Sequence, residues 1–198
     1  MMNRRTLLNL FLVSTLAALF CRLFVIEEYR IVSNSMFPTM DTGKLVFVFK
    51  SSFSLKLPFS SYEIIKFSRP KRAEIVAFGL PEKSSTTFVK RVVAIAGDRV
   101  EIKDGNLYVN GELAKRIEGS SSAREISSVQ RSVQTEQLAG SEPYTVISET
   151  EKLPNYGPID IPPNHFFAMG DNRSQSIDSR SWGPVPYSYL KGKVLVSF

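Results

Sequence analysis

At 198 residues with 43% apolar side chains, the chain can form one membrane-anchored domain, or one domain with an insertion, and bury a core. Its 25 Lys and Arg against 19 Asp and Glu give a net charge of +6, but no block of five or six basic residues stands out, which argues against a nucleic-acid partner. A single cysteine excludes an intrachain disulfide, and one cysteine with one histidine starves any zinc site, so neither metal nor cofactor is expected.

Asn3, Arg4 and Arg5 precede a run from Leu7 to Ile26 that is apolar except for Asn9, Ser14, Thr15 and Arg22. At about 1.5 Å per helical residue such a run can cross a ~30 Å hydrocarbon core. Arg22, near its far end, can snorkel to the headgroups. The slight excess of arginine before the run predicts a cytoplasmic N-terminus with the rest of the chain on the far side of the membrane. The run is long for a cleaved secretory signal, and Phe20 is too bulky to precede a lipoprotein cysteine. Residues 1–28 therefore read as an uncleaved single-pass anchor, with the lipid bilayer as partner.

Tyr29-Arg30-Ile31-Val32 then delivers the chain to Ser33-Asn34-Ser35-Met36-Phe37-Pro38-Thr39-Met40. Pro38 lacks an N–H and biases Phe37 away from the helical region, so a strand breaks here and a serine hydroxyl is presented. Taken alone the stretch is a polar turn, and a serine needs a base before it becomes a nucleophile. Few residues separate it from the anchor, and an extended residue spans at most ~3.6 Å, so Ser35 must lie near the membrane surface.

Leu45 to Phe49 reads as a strand. Ser51 to Ser61, with Phe53 and Phe59, reads as a loop that either joins the core or dips into the headgroups. Glu74 to Phe78 and Thr87 to Ile95 are further strands. Alternation in the second sets Val89, Arg91, Val93 and Ile95 on one face and Phe88, Lys90, Val92 and Ala94 on the other, leaving Lys90 a lone cation among apolar neighbours. Asp104-Gly105 and Asn110-Gly111 signal two tight hairpins. From Lys115 to Gly157 the composition turns polar and rich in Ser and Gln, an insertion whose best strand is Tyr144 to Ile147. Its polarity predicts that residues 120–137 tolerate shortening. Phe166 to Met169 is a short buried strand that stops at Gly170-Asp171-Asn172-Arg173, and Gly192 to Val196 closes the chain. The expected fold is mainly β: an N-terminal transmembrane helix, an antiparallel β core over 29–114 and 158–198, and a smaller β insertion over 115–157.

The lone histidine, His165, follows Pro162-Pro163-Asn164 and reads as a solvated residue at a strand entry, not as the base of a triad. That leaves lysine, whose ordinary pKa of about 10.4 makes it useless as a base unless burial lowers it. Lys90 is the lysine whose sequence neighbours would do so, although most strand lysines simply snorkel.

Ser33-Asn34-Ser35-Met36-Phe37-Pro38-Thr39 resembles the serine box of the type I signal peptidases. Lys90-Arg91-Val92-Val93-Ala94-Ile95-Ala96-Gly97-Asp98 resembles their lysine box. Gly170-Asp171-Asn172-Arg173, Ser176-Ile177-Asp178-Ser179-Arg180 and Trp182-Gly183 resemble their final box. The three occur in the family's order behind an anchor in the family's position. The resemblance implies a membrane-bound serine endopeptidase that removes signal peptides from exported preproteins, with small residues at −1 and −3. It implies Ser35 as nucleophile, Lys90 as general base, and the Ser35 N–H with the Ser33 hydroxyl as oxyanion hole. Ser176 would hydrogen-bond and orient Lys90, Asp178 would pair with Arg180 and Arg91, and Gly170 would leave room beside the lysine. The substrate would lie extended along Ile31, Val32 and Ser33. Arg72-Ala73-Glu74 departs from the Arg-Gly-Asp often found there and implies a different local turn. A sister peptidase with a narrower substrate range, or a β domain that binds a partner and cleaves nothing, are the competing readings.

Overall fold

The computed structural model describes residues 3–56, 63–80, 83–126, 129–149 and 153–197. The Asn3 side chain accepts from Arg5 N and caps helix α1 (Arg4–Phe20), which continues through a π-helical turn, Cys21–Val25. Together these 22 residues are long and apolar enough to cross a membrane, and none of them is buried against the rest of the chain.

The helix runs straight into β1 (Ile26–Arg30), which pairs antiparallel with β2 (Leu45–Phe49). Next come β3 (Ser54–Lys56) and β4 (Glu63–Lys66), a two-stranded ribbon, so the stretch expected to be a loop carries a strand at its start. Phe53 does not reach out to lipid: it is 6% exposed and packs with Phe78, Val92 and Phe166. Phe59 and Ser61 lie outside the described residues. The chain continues through β5 (Ile75–Leu80), β6 (Lys83–Ile95), β7 (Arg99–Lys103), β8 (Asn106–Val109) and β9 (Glu112–Leu113). Asp104 and Gly105, then Asn110 and Gly111, all have positive φ, the backbone that two-residue hairpins require.

The insertion is a meander of β10 (Lys115–Ile126), β11 (Val129–Gln137) and β12 (Tyr144–Glu149). Its base is not polar: Leu138, Tyr144 and Val146 pack with Val93, Ala94, Phe167 and Met169 of the main core. The next strand, β13 (Tyr156–Asp160), leaves that meander and pairs with β7. The chain ends with β14 (His165–Met169), a one-turn helix α2 (Ser179–Trp182), β15 (Val185–Pro186) and β16 (Leu190–Ser197).

The largest sheet has the order β1-β2-β16-β5-β6-β14-β15, and its β14 is buried on both faces. Phe166 and Ala168 join one cluster with Val76, Phe78 and Val92, while Phe167 and Met169 join the other with Val93 and Val100. Across β6 and β14, Val92 pairs with Ala168 and Ala94 with Phe167, which leaves Val93 as an extra residue. This bulge breaks the expected alternation: Ala94 shares a cluster with Val93, not with Val92.

Candidate active site

Ser35 sits in a single 3₁₀ turn, Asn34–Met36, entered from an extended Ser33 and left through an extended Phe37 ahead of Pro38. Met36 and Met40, 1% and 5% exposed, anchor the turn in a cluster with Ile31, Val46 and Val89. Met40 N donates to Met36 O at 2.9 Å and Thr42 Oγ1 to Asn34 Oδ1 at 2.6 Å, which closes the loop on itself. The Ser33 and Ser35 hydroxyl oxygens are 3.1 Å apart.

Lys90 Nζ donates to Ser35 Oγ, joining two residues 55 positions apart. Lys90 is 4% exposed, and its partner across the β5–β6 ladder is the fully buried Val76. Burial lowers its pKa from 10.5 to about 8; the Asp178 and Asp171 carboxylates pull it back up, and the Arg180 guanidinium pushes it down. At neutral pH a share of the lysine is therefore unprotonated.

The loop after β14 backs the serine turn. Asn172 N donates to Ser35 O at 3.1 Å, and Asn172 Nδ2 to Asn34 O at 3.2 Å. A side chain at Gly170 would collide with the Ser35 carbonyl oxygen and the Ser176 hydroxyl, so the glycine clears space for the serine turn. The Gly170 N–H donates to Asp178 Oδ2 at 3.0 Å. Asp178 also caps α2 and holds Arg180 through contacts of 2.8 and 2.7 Å. Burial raises the Asp178 pKa, but the Arg180 hydrogen bonds and charge outweigh it and leave the carboxyl below its ordinary value.

Two expected contacts take other forms. Among the described residues the buried Ser176 Oγ has no hydrogen-bond partner of normal geometry, Lys90 included, although it is near enough to Asp178 to favour the carboxylate. Arg91 pairs with Asp171, at 2.8 and 2.6 Å, and not with Asp178. The reason is register: Arg91 lies opposite Met169, and Asp171, two residues further on, follows Met169 on its side of the chain. Thr39 Oγ1 adds a bond to Asp171 at 2.5 Å, and Arg91 Nη1 donates to Ala73 O at 2.8 Å. Ala73 has φ +68°, the left-handed backbone that glycine favours, so alanine here adopts the glycine-type turn instead of replacing it.

Ile31 is 7% exposed, and its own N–H and C=O are bonded to Lys44 and Gly43. Alternation turns the Val32 backbone to the opposite edge, and its side chain is 85% exposed. Of the three expected substrate-strand residues, Val32 and Ser33 therefore lie at the open edge. His165 bonds Pro163 O at the far end of β14 from Gly170. Among the described residues no group of three or more His, Cys, Asp or Glu could hold a metal ion.

The sequence reasoning missed Thr39, Glu136, Tyr144 and Arg173. Arg173 and Glu136 form a buried bidentate pair, and the Tyr144 ring lies 4.2 Å from the Arg91 guanidinium carbon. Thr39 and Arg173 stand inside the serine and final boxes, but nothing local names their partners, and Glu136 and Tyr144 come from the distant strands β11 and β12.

Residues 4–198 match the family described as signal peptidase, peptidase S26. The chain is similar to a signal peptidase I of Pseudomonas fluorescens, with 31% identity over 187 residues, 87% of this chain and 64% of that one. A signal peptidase I of Pseudomonas aeruginosa is 33% identical over 202 residues, with the same two coverages of 87% and 64%. The chain thus spans about two-thirds of the length of these relatives, 64% in each case. A crystal structure of a signal peptidase I from Enterococcus faecalis V583 is similar with a TM-score of 0.42 and 27% identity, over 66% of this chain and 100% of that one.

Proposed function

The chain belongs to the signal peptidase family, peptidase S26, and from that premise we propose that it is a serine endopeptidase that removes N-terminal signal peptides from exported preproteins. The observation that carries this reading is the buried Lys90 ammonium in contact with the Ser35 hydroxyl. Neutral Lys90 takes the Ser35 proton as the oxygen attacks the scissile carbonyl. With a pKa of about 8, roughly a tenth of the lysine is neutral at pH 7, enough to start the reaction without a histidine. The Ser35 N–H and the Ser33 hydroxyl favour the oxyanion of the tetrahedral intermediate, and the Ser33 oxygen is already 3.1 Å from the nucleophile. The Lys90 ammonium then protonates the leaving amine, which departs as the N-terminus of the mature protein. Water, deprotonated by the same lysine, hydrolyses the acyl-enzyme and frees the signal peptide.

The substrate adds as an extended strand at the Val32–Ser33 edge, where main-chain hydrogen bonds give affinity and shallow apolar pockets favour small residues at −1 and −3. The N-terminal helix anchors the enzyme in the inner membrane, with Arg4 and Arg5 on the cytoplasmic side and the β domain on the other. The five residues of β1, with Ile31, Val32 and Ser33 after them, are all that separates helix from serine turn and keep the reaction beside the bilayer, where a signal peptide's apolar segment would lie. The test is incubation of the full chain, in detergent micelles, with a preprotein, followed by N-terminal sequencing of the product. A single cut after a small residue, lost in Ser35→Ala, is the expected result. An intact preprotein, or cleavage that survives Ser35→Ala, would overturn the reading.

A further inference from the structure

The insertion carries two buried polar side chains that the proposed reaction does not use. Glu136, from β11, is 5% exposed and holds Arg173 at 2.8 and 2.5 Å; Arg173 is 4% exposed. Tyr144, from β12, donates its hydroxyl to Glu136 Oε1 at 2.6 Å. Burial works against both charges, but each keeps the other ionised: the Glu136 carboxyl lies below its ordinary pKa and the Arg173 guanidinium above.

These contacts clamp the loop after β14 from behind. Arg173 Nε donates to Gly170 O at 3.2 Å, Arg173 N to Ile147 O at 2.8 Å, and Ile147 N to Asp171 O at 2.9 Å. On its other side the same loop holds the nucleophile's turn, through Asn172 N and Ser35 O at 3.1 Å. Replacing a buried ion pair by apolar residues of similar volume is often neutral or stabilising, so stability alone does not call for an ion pair here. An ion pair has directed hydrogen bonds, and here they end on the Gly170 carbonyl. We infer that Glu136 is a positioning residue of the active site: through Arg173 it sets the Gly170–Asn172 backbone that holds Ser35 against Lys90. The insertion is then part of the catalytic apparatus, and a deletion that removed Glu136 would disturb the chemistry.

This inference rests on the Ser35–Lys90 reading, and the two fail separately in one set of measurements on the full chain in detergent. The double variant Glu136→Leu, Arg173→Met removes both charges together and leaves neither unpaired, so it should keep its thermal midpoint. Peptides covering Gly170 to Arg173 should exchange their amide hydrogens faster than in the parent, with β5 and β6 unchanged. For preprotein cleavage, kcat should fall about 10- to 100-fold, since small misplacements cost that much, while KM stays within about twofold because the substrate edge is untouched. Should the double variant not fold, Tyr144→Phe takes its place; it deletes one hydroxyl, keeps the ring, and should lower kcat about threefold at unchanged KM. Parental exchange at Gly170 to Arg173, or parental kcat in the folded variant, overturns the positioning role. A parent enzyme that leaves the preprotein intact counts against the peptidase reading, whereas the exchange measurement still decides whether Glu136 sets the loop.

Discussion

Lys90 and Arg91 are neighbours on β6 and almost equally buried, at 4% and 6% exposure, yet the fold treats their charges in opposite ways. Lys90 lies on the strand face of Phe88 and Val92, across from Val76, and its Nζ meets the Ser35 hydroxyl. Arg91 lies on the other face, where it finds both oxygens of Asp171, the Ala73 carbonyl and the Tyr144 ring. Desolvation without a close counter-charge disfavours the ammonium, while a bidentate carboxylate secures the guanidinium. One step along a strand is enough to separate a cation whose proton is loosened by burial from one held by a carboxylate. The two residues also differ in kind, since guanidinium stays protonated at any pH a protein meets and ammonium does not.

Making the two cations alike is the largest break of this contrast. Lys90→Arg keeps a charge it cannot shed, so preprotein cleavage should fall by about 10⁴-fold or more, as in Ser35→Ala, with the circular dichroism of the parent. Robust turnover by Lys90→Arg would remove Lys90 as the base.

Deleting the charge tests the cost of burying it. Between pH 8 and 10.5 the unfolded chain binds a proton at Lys90 that the folded chain has lost, so folding stability should climb across that window, and the penalty is fully present below it. Lys90→Met lacks the penalty. It should be inactive yet more stable than the parent at pH 7, by on the order of 3 kcal/mol, with the gap closing as the pH approaches 10.5. Urea unfolding at pH 7 and pH 10 reads this directly, and a variant less stable than the parent at pH 7 would contradict it.

A subtler change sharpens the contrast by removing a distant carboxylate. The rising limb of kcat/KM for the parent should lie near the Lys90 value of about 8. Asp178 raises that value and Arg180 lowers it, so Asp178→Asn, which leaves Arg180 unopposed, should move the limb to lower pH, by about one unit or less. A limb that moved to higher pH would mean that the named charges do not govern Lys90.

On the Arg91 side, Ala73 holds its carbonyl toward the guanidinium in a left-handed backbone that costs a non-glycine residue about 1–2 kcal/mol. Ala73→Gly relieves that cost but frees the unfolded chain, so a net gain of about 0.5–1 kcal/mol in unfolding free energy is expected, with activity unchanged. A loss of stability would show that the turn is not strained. The smallest effect belongs to His165→Ala, which should leave the rising limb in place, because the imidazole bonds Pro163 O at the remote end of β14. A shift of roughly one unit there would point to histidine as the base.

Much of the site was legible because its signals are local. Alternation from Phe88 to Val92 isolated Lys90, the lone His165 left lysine as the candidate base, and Pro38 marked the end of the strand before the serine turn. The Asp-Gly and Asn-Gly pairs marked their hairpins for the same reason, since the backbone they need is a property of two adjacent residues. Misreadings arose where a partner had to be chosen at long range. Asp171 and Asp178 are both buried acids in one loop, and only the register of β6 against β14 assigns Arg91 to the first. The polar composition of the insertion concealed Glu136, Leu138 and Tyr144, whose burial depends on strands far away in sequence.

The amino-acid sequence by itself determined the apolar helix, the strand periods, the turns and the pair of residue types able to do the chemistry. Each follows from sterics or hydropathy within a few residues. Tertiary structure alone decided that Lys90 meets Ser35, that Val93 bulges and turns Ala94 into the other cluster, and that Glu136 reaches Arg173. Those outcomes depend on sheet order and on how far each side chain is withdrawn from water, and Glu136, buried by residues distant in the chain, has polar neighbours in sequence that give no sign of it.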